Sequence, residues 1–484
     1  MKQWMRKIWP YLGFALISML LLLKPIGDGD ELWNFNFARN IIEERRPYRD
    51  FNMLQTPFSA YFSAFLMSIL GCNLHTFRVV AVGLLFVMCV LVYINILQVH
   101  KKEMPAMVIS MIIAALHFPV WNYNYNNLCL CLMLLIMWLE NKQEKNSEKS
   151  ADFKNAGIGV LYGLMPMIKQ STGGILCLIN VVISIWGWKK QSYTVRLMVF
   201  RIVGSIMPTL LWGIYLVLRR DIKYFWEYAV LGVEKFTHYV GYFEFILDSP
   251  LKLLIGLTPI IIIYCTIRKL FDRNLDAGKA MLGRMLILSL GAASVAYPLC
   301  DYVHMVVLIV PFMILLPSVL GKYWCRDGED TIFWGLPVCV FATILILQWP
   351  EGESVKLCTI PVYEGLFINE ELENLIVQVD NYILEQGEAG QQIIVADEYG
   401  ALYTIPLKQC YKNFDMLLVG NQGIADISTR LNYASARYLV RKDESTLGYQ
   451  ADLEMIHYIK QNYNKIGEVS IFEVYCTNET QTGR

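Results

Sequence analysis

The sequence predicts a polytopic α-helical membrane protein, with about eleven transmembrane helices followed by a C-terminal extracytoplasmic α/β domain. Three observations predict it. Of the 484 residues, 55% are hydrophobic and 17% charged, whereas about a quarter of a soluble domain is charged. The apolar residues come in repeated blocks of roughly 17–25, the length that crosses a bilayer as a helix. After Trp349 the blocks stop and polar and apolar residues mix. The formal net charge of zero gives no basic footprint for nucleic acid.

The first element, "MKQWMRKIWPYLGFALISMLLLLKP", has the outline of a signal peptide, but no small-x-small cleavage site follows it. It reads as an uncleaved first span. Lys2, Arg6 and Lys7 precede it, so the positive-inside rule puts the N-terminus in the cytoplasm. Residues 25–76 then form a first outer loop. Within that loop, "PFSAYFSAFLMSILG" (57–71) is apolar but short for a span, and reads as a helix lying at the interface. Further spans fall at 77–98, 105–119, 127–139, 156–168, 173–188, 198–218, 251–267, 284–299, 304–320 and 332–348. The basic loops "HKKE", "ENKQEKNSEKS", "WKKQSYTVR", "IRKLFDRNLDAGK" and "GKYWCRDGED" then all face the cytoplasm. Were 57–71 a span, the parity would invert and "HKKE" and "WKKQ" would face outward.

Two domains follow from this: a transmembrane module over 1–349 and the α/β domain over 350–484. In the latter, "QQIIVADEYG", "ARYLVRK" and "EVSIFEVY" read as strands. "INEELENLIVQVDNYILEQ" and "DLEMIHYIKQNYNKI" carry apolar residues three and four apart, the helical spacing. Of the twelve cysteines, Cys89, Cys129, Cys131, Cys177, Cys265 and Cys339 lie in apolar blocks, where cysteine behaves as a small hydrophobe. Cys358, Cys410 and Cys476 fall in the α/β domain. Three thiols allow one disulfide with one left over, and none is assigned. There is no CxxC pair, and no metal site of cysteines is expected.

Polar residues gather at span ends. Asp28, Asp30 and Glu31 follow the first span, and "WNYNYNN" (121–127), "KQSTGG" (169–174), "RRDIKYFWEY" (219–228) and "YPLCDYVH" (297–304) join or follow later ones. Taken singly each has a plain structural reading. Asp28 fits a helix N-cap, Lys169 a snorkelling side chain, His304 a satisfied helix-end histidine, and "WNYNYNN" an aromatic belt. By the charge-derived topology, however, all five lie on one face of the membrane, and ionisable groups at membrane depth are costly unless paired or lining a wet cavity. A cavity holding carboxylates and cations together suits transfer from a lipid-phosphate donor. The cations hold the phosphate, and a carboxylate deprotonates an acceptor hydroxyl as it attacks.

The acidic pair beyond the first span, followed by "ARNIIEERRPYRDFNMLQTPFSAYFSAFLMSILG", resembles the first outer loop of GT-C fold membrane glycosyltransferases. The branch in question is that of bacterial protein O-mannosyltransferases and aminoarabinose transferases. The family pattern runs from an acidic pair through a helix ending in Gly-x-x-Pro-Tyr-x-Asp to a Pro-rich turn and an aromatic interfacial helix. Here Arg46, Pro47, Tyr48, Arg49 and Asp50, then Gln55, Thr56 and Pro57, fill those places. "IKQSTGG" and "YPLCDYVH" also look like later outer-loop motifs of the family. The departure is Gln55–Thr56–Pro57, where relatives carry Lys-Pro-Pro and so one basic residue more.

The resemblance implies a polyprenyl-phosphate sugar donor and a first-loop aspartate as base: Asp30, beside Glu31, with Asp28 the competing choice. Lys169, Arg219, Arg220 and His304 are then the donor-phosphate set. Asp301, Tyr48, Asp50 and Gln170 are acceptor-binding or orienting. A divalent metal between Asp28 and Asp30 fits oxygen-ligand chemistry, but inverting transfer from a lipid monophosphate does not require one, and no cofactor is expected. The expected partners are a polyprenyl-phosphate-linked sugar and a glycan, lipid or protein acceptor, at the plasma membrane. The sequence leaves two alternatives: a lipid or glycan transporter or flippase, and a non-catalytic lipid-binding member of the same fold.

Overall fold

The computed structural model describes residues 2–142, 148–189, 193–234, 241–272, 279–297, 299–320, 329–348, 354–387, 392–418, 423, 426–431, 433, 436–448 and 450–476. By contact the chain forms two compact units. The first comprises Met1–Leu22, Arg78–Tyr215 and Tyr239–Trp349; the second comprises Leu23–Phe77, Leu216–His238 and Pro350–Arg484.

Seven described helices are long and apolar enough to cross a membrane: Trp4–Leu23, Leu74–His100, Glu103–Val120, Gln170–Lys189, Val195–Arg219, Pro250–Leu270 and Lys279–Ala296. The other expected spans are also helical but shorter or more polar. Tyr125–Asn141 has 17 residues, and Glu148–Ile168 opens on the polar run Glu148 to Asn155. The span expected at 304–320 is broken into Tyr302–Met313 and Leu316–Leu320. Pro317 lacks the N–H that would bond the Met313 carbonyl, and its ring crowds that carbonyl. The stretch 57–71 is the helix Phe58–Leu70, 13 residues long. At 1.5 Å per residue it falls short of the roughly 30 Å hydrocarbon core. Much of "GKYWCRDGED" and parts of "ENKQEKNSEKS", "WKKQSYTVR" and "IRKLFDRNLDAGK" lie outside the described residues.

Small residues let the helices of the first unit approach closely. A Cβ on Gly159 would meet the Arg201 carbonyl oxygen at 2.2 Å, and one on Gly163 would meet that of Ser205 at 2.4 Å. The two glycines lie four apart on the helix Glu148–Ile168, the small-xxx-small spacing of membrane helix pairs. Beside this seam the guanidinium of Arg201 is fully buried. It donates to Glu140, to Asn180 Oδ1 at 2.6 Å and to the Tyr193 hydroxyl at 3.2 Å. A charge buried at this depth needs such a set of partners.

The second unit contains the helix Gly29–Ile42, the helix Phe58–Leu70 and six strands: β1 (Val355–Leu357), β2 (Phe367–Asn369), β3 (Ile393–Ala396), β4 (Arg437–Arg441), β5 (Asn464–Val469) and β6 (Phe472–Cys476). β1 and β2 pair antiparallel. The other four form one sheet in the order β3-β4-β6-β5, with β3 parallel to β4 and the remaining pairs antiparallel. The helices Glu370–Gln386 and Leu453–Asn462 match the expected helical segments. Their apolar residues Ile376, Val379, Ile456 and Ile459 are buried, as are all four residues of β3. "EVSIFEVY" is not one strand but the end of β5, a turn and most of β6. Ser470 takes the left-handed φ of 48° at the turn, and β5 is largely exposed, so its apolar signal is weak.

The helix Gly29–Ile42 is buried on nearly every side. Its polar residues are therefore bonded, as buried polar groups must be. Asn36 Nδ2 donates to Asp415 Oδ2 at 3.0 Å, and the Arg39 guanidinium donates to Asn36 Oδ1 at 2.9 Å and to the carbonyls of Ile405 and Gln409. Burial pushes the Asp415 carboxyl above its usual range, while the Tyr411 N–H, Thr404 and Asn36 supply its hydrogen bonds. The first loop and the C-terminal sheet domain thus share one buried polar network within this unit.

Candidate functional site

The expected site residues divide between the two units. Lys169, Gln170, Asp301 and His304 belong to the first; Asp28, Asp30, Glu31, Tyr48, Asp50, Arg219 and Arg220 belong to the second.

In the first unit three helix ends meet. Lys169 is the residue between the helices Glu148–Ile168 and Gln170–Lys189, and it is buried. Its Nζ donates to Asn126 Oδ1 at 2.7 Å and to the Val295 carbonyl at 3.0 Å, and lies 5.5 Å from the Tyr125 ring centroid. Because an ammonium only donates, it fixes Asn126 with its oxygen toward Lys169 and its NH₂ toward His304 Nε2, 3.4 Å away. An amide nitrogen that donates there requires Nε2 to accept. The imidazole proton then sits on Nδ1, which lies 2.7 Å from Asp301 Oδ1. The result is a hydrogen-bonded chain with one consistent direction, Lys169 to Asn126 to His304 to Asp301, with His304 neutral. Asp301 is also the N-cap of Tyr302–Met313, accepting the His304 N–H at 2.9 Å.

Lys169 therefore does not snorkel, and His304 is more than a satisfied helix end. Gly173 makes the close packing of this corner feasible: a Cβ there would meet the Pro166 nitrogen at 2.1 Å and the Met165 carbonyl carbon at 2.2 Å. One turn into the helix, the Thr172 hydroxyl is buried with no hydrogen-bond partner among the described residues. Gln170 is the first residue of that helix and half-buried. "WNYNYNN" is not an aromatic belt, since Trp121 and Tyr123 are fully buried. Its asparagines cap the next helix, Asn124 Oδ1 accepting the Asn127 N–H at 2.9 Å. Asn126, the link of the polar chain, stood in the sequence only as one asparagine among four in that motif.

In the second unit Asp28 is the N-cap of Gly29–Ile42. Its Oδ1 accepts the Glu31 N–H at 3.4 Å, and its Oδ2 faces Lys24 Nζ at 3.3 Å. Asp30 is half-buried in the first turn and Glu31 is buried. Carboxylates in this first turn complement the positive end of the helix dipole. Tyr48 is fully buried at φ 68° and donates its hydroxyl to the Gln55 carbonyl at 2.8 Å, with its ring edge-on to Phe225. Asp50 accepts the Arg46 N–H at 2.7 Å and is exposed. Arg219 and Arg220 are exposed at the end of a long helix, Arg220 at φ 58°. The neighbouring Asp221 is the buried one, facing Arg46 at 3.7 Å and Arg49 at 3.5 Å. Among the described residues no group of three or more His, Cys, Asp or Glu is placed to hold a metal ion.

The segment "ADEYG" of the C-terminal domain was read only as strand. Tyr399 stacks on Trp33 of the first-loop helix, with ring centroids 5.9 Å apart and planes 25° apart. Asp397, fully buried, pairs with Arg441 at 2.8 Å. Glu398 accepts the Gly448 N–H at 2.7 Å. No local signal in the sequence links residue 399 to residue 33.

No family model and no curated protein matches the chain. Solved structures do. A crystal structure of ArnT from Cupriavidus metallidurans bound to undecaprenyl phosphate matches with a TM-score of 0.54 at 12% identity, covering 98% of each chain. The apo structure of the same protein matches with a TM-score of 0.57 at 12% identity and the same coverage. Over nearly its whole length the chain thus has the fold of the aminoarabinose transferase ArnT, a GT-C membrane glycosyltransferase fold with a C-terminal domain.

Proposed function

We propose that this chain is an inverting glycosyltransferase that moves a sugar from a polyprenyl-phosphate donor to an acceptor hydroxyl outside the cytoplasm. The acceptor oxygen attacks the anomeric carbon, the bond from that carbon to the phosphate oxygen breaks, and the polyprenyl phosphate leaves as an anion. Asp30 takes the hydroxyl proton, with Asp28 capping the turn that carries it. A departing phosphate needs charge stabilisation more than a proton. The reading invokes no cofactor.

The observation that carries this reading is Lys169. It is a buried cation at the N-terminus of a 20-residue helix, and its hydrogen-bond partners are neutral oxygens. Burying a charge without an opposite charge is expensive, and a helix N-terminus favours an anion. A donor phosphate would balance both, and the unpartnered Thr172 hydroxyl is a further donor in the same turn. His304, polarised by Asp301, is assigned to the same phosphate, and Arg219 and Arg220 to its approach. The undecaprenyl phosphate of the ArnT structure supports that class of donor. The N-terminus is assigned to the cytoplasm and the C-terminal domain to the other side, on the charge of the loops.

The test is turnover. The purified chain, given a panel of polyprenyl-phosphate sugars, should consume one of them in the presence of an acceptor. Asp30→Asn should abolish turnover and Lys169→Met should weaken donor binding. Full turnover in both Asp30→Asn and Asp28→Asn removes the base assignment. No turnover of any donor by the wild-type chain removes the reading.

A further inference from the structure

Tyr399 is held with unusual care. On its N-terminal side lie two buried carboxylates, each satisfied: Asp397 by Arg441 at 2.8 Å and Glu398 by the Gly448 N–H at 2.7 Å. A Cβ on Gly448 would meet the Glu398 carboxylate at 2.5 Å, so the two strands of chain are in direct contact there. The Tyr399 N–H points to Asp397 Oδ1 at 3.4 Å. Buried carboxylates cost stability unless fully bonded, so this loop spends stability on one fixed shape. The residue that shape presents is a half-exposed tyrosine.

The ring lies against the turn that carries the acidic residues. An ideal Cβ on Gly29 would sit 2.2 Å from Tyr399 Cε1 and 3.1 Å from Cζ. Gly29 has no positive φ, so the glycine is required by the ring and not by the backbone. Asp28 and Asp30 flank Gly29 in the chain, and their charges, with Glu398 and Asp397, act on the phenol. Burial first and then these carboxylates hold its pKa above the ordinary tyrosine value. The phenol therefore stays protonated, and among the described residues its O–H has no hydrogen-bond partner in the protein. An aromatic face and a free donor beside carboxylates is the combination that holds a sugar: apolar C–H groups lie on the ring, and hydroxyls donate to the carboxylates.

We propose that Tyr399, together with Trp33 and the Asp28–Asp30 turn, forms a saccharide-binding subsite shared by the first loop and the C-terminal domain, and that Tyr399 is its specificity-determining residue. The inference rests on the glycosyltransferase reading for its place in the reaction. Its own content, the binding of a pyranose or furanose ring, is tested without turnover.

The test uses the full chain in lipid nanodiscs and a panel of methyl glycosides of hexoses, pentoses and aminosugars, with binding read by saturation-transfer NMR. Wild type should bind at least one glycoside. Tyr399→Ala should weaken that binding about tenfold, and Tyr399→Phe by less, since the ring remains. Gly29→Ala leaves Tyr399 in place chemically but drives its ring off the turn, and should weaken binding in the same direction. In kinetics, Tyr399→Ala should raise the acceptor KM about tenfold while the donor KM moves less than about twofold. Equal glycoside binding by wild type and both variants overturns the subsite, as does a wild type that binds none of the panel. Glycoside binding that falls in Tyr399→Ala, in a chain that turns over no donor, keeps the subsite and removes the transferase reading.

Discussion

The Nζ of Lys169 and the Oδ1 of Asn126 lie 2.7 Å apart, and the same amide reaches His304 with its nitrogen. That single asparagine orders the protonation of three residues. Asn126→Leu should remove one of two acceptors from a buried ammonium, at a cost of about 1–3 kcal/mol, read as a lowered melting temperature in detergent. Lys169→Met should not be destabilising, because it removes the buried charge, yet should lose donor affinity. A Lys169→Met chain that melts well below Asn126→Leu would mean that the lysine is structural.

Glu44 adopts φ 64° at the end of the helix Gly29–Ile42, where the family pattern has glycine. A non-glycine residue in the left-handed region costs about 1–2 kcal/mol. Glu44→Gly should therefore stabilise the chain by about 1 kcal/mol, seen as a raised melting temperature. An unchanged or lower value would show that the Glu44 side chain contributes more than the strain costs.

Asp380 gives a pH dependence of definite sign. Burial pushes its carboxyl up to about 7, and its Oδ1 is buried without a partner among the described residues. Between the unfolded value of about 3.9 and the folded one, the folded chain binds more protons than the unfolded chain. Stability from this group is thus full below about pH 4 and falls until about pH 7. Asp380→Asn should flatten that part of the profile, so that the melting temperature of the variant gains on wild type as pH rises. Parallel profiles would dismiss the assignment.

Gly173 holds the corner that presents Lys169. Its missing Cβ would strike backbone atoms of Met165 and Pro166, which cannot swing aside as a side-chain end can. Gly173→Ala should cost about 1–3 kcal/mol by overpacking and lower turnover more than Gly174→Ala, where a Cβ meets open space. Equal loss in the two variants would count against the packing argument.

The apolar blocks, the breaks at charged loops and the change after residue 349 were legible in the sequence because bilayer thickness and the need to satisfy every backbone group leave few choices of structure. The first-loop motif likewise sufficed to indicate the fold. Helical period showed Glu370–Gln386 and Leu453–Asn462, since each buries one stripe. Only the tertiary structure decided which polar side chains are partners. Asn126 meets Lys169 across 43 positions, and Asn36 meets Asp415 across 379. Such pairings depend on which helix ends and loops are brought side by side, and nothing in the local pattern records that. For the same reason Tyr48, which the family motif offered as a site residue, proved to be a buried packing element, whereas Tyr399, which no motif marked, lies against the acidic turn. Composition and periodicity set what each segment must bury; chain closure in three dimensions set which charges and rings meet.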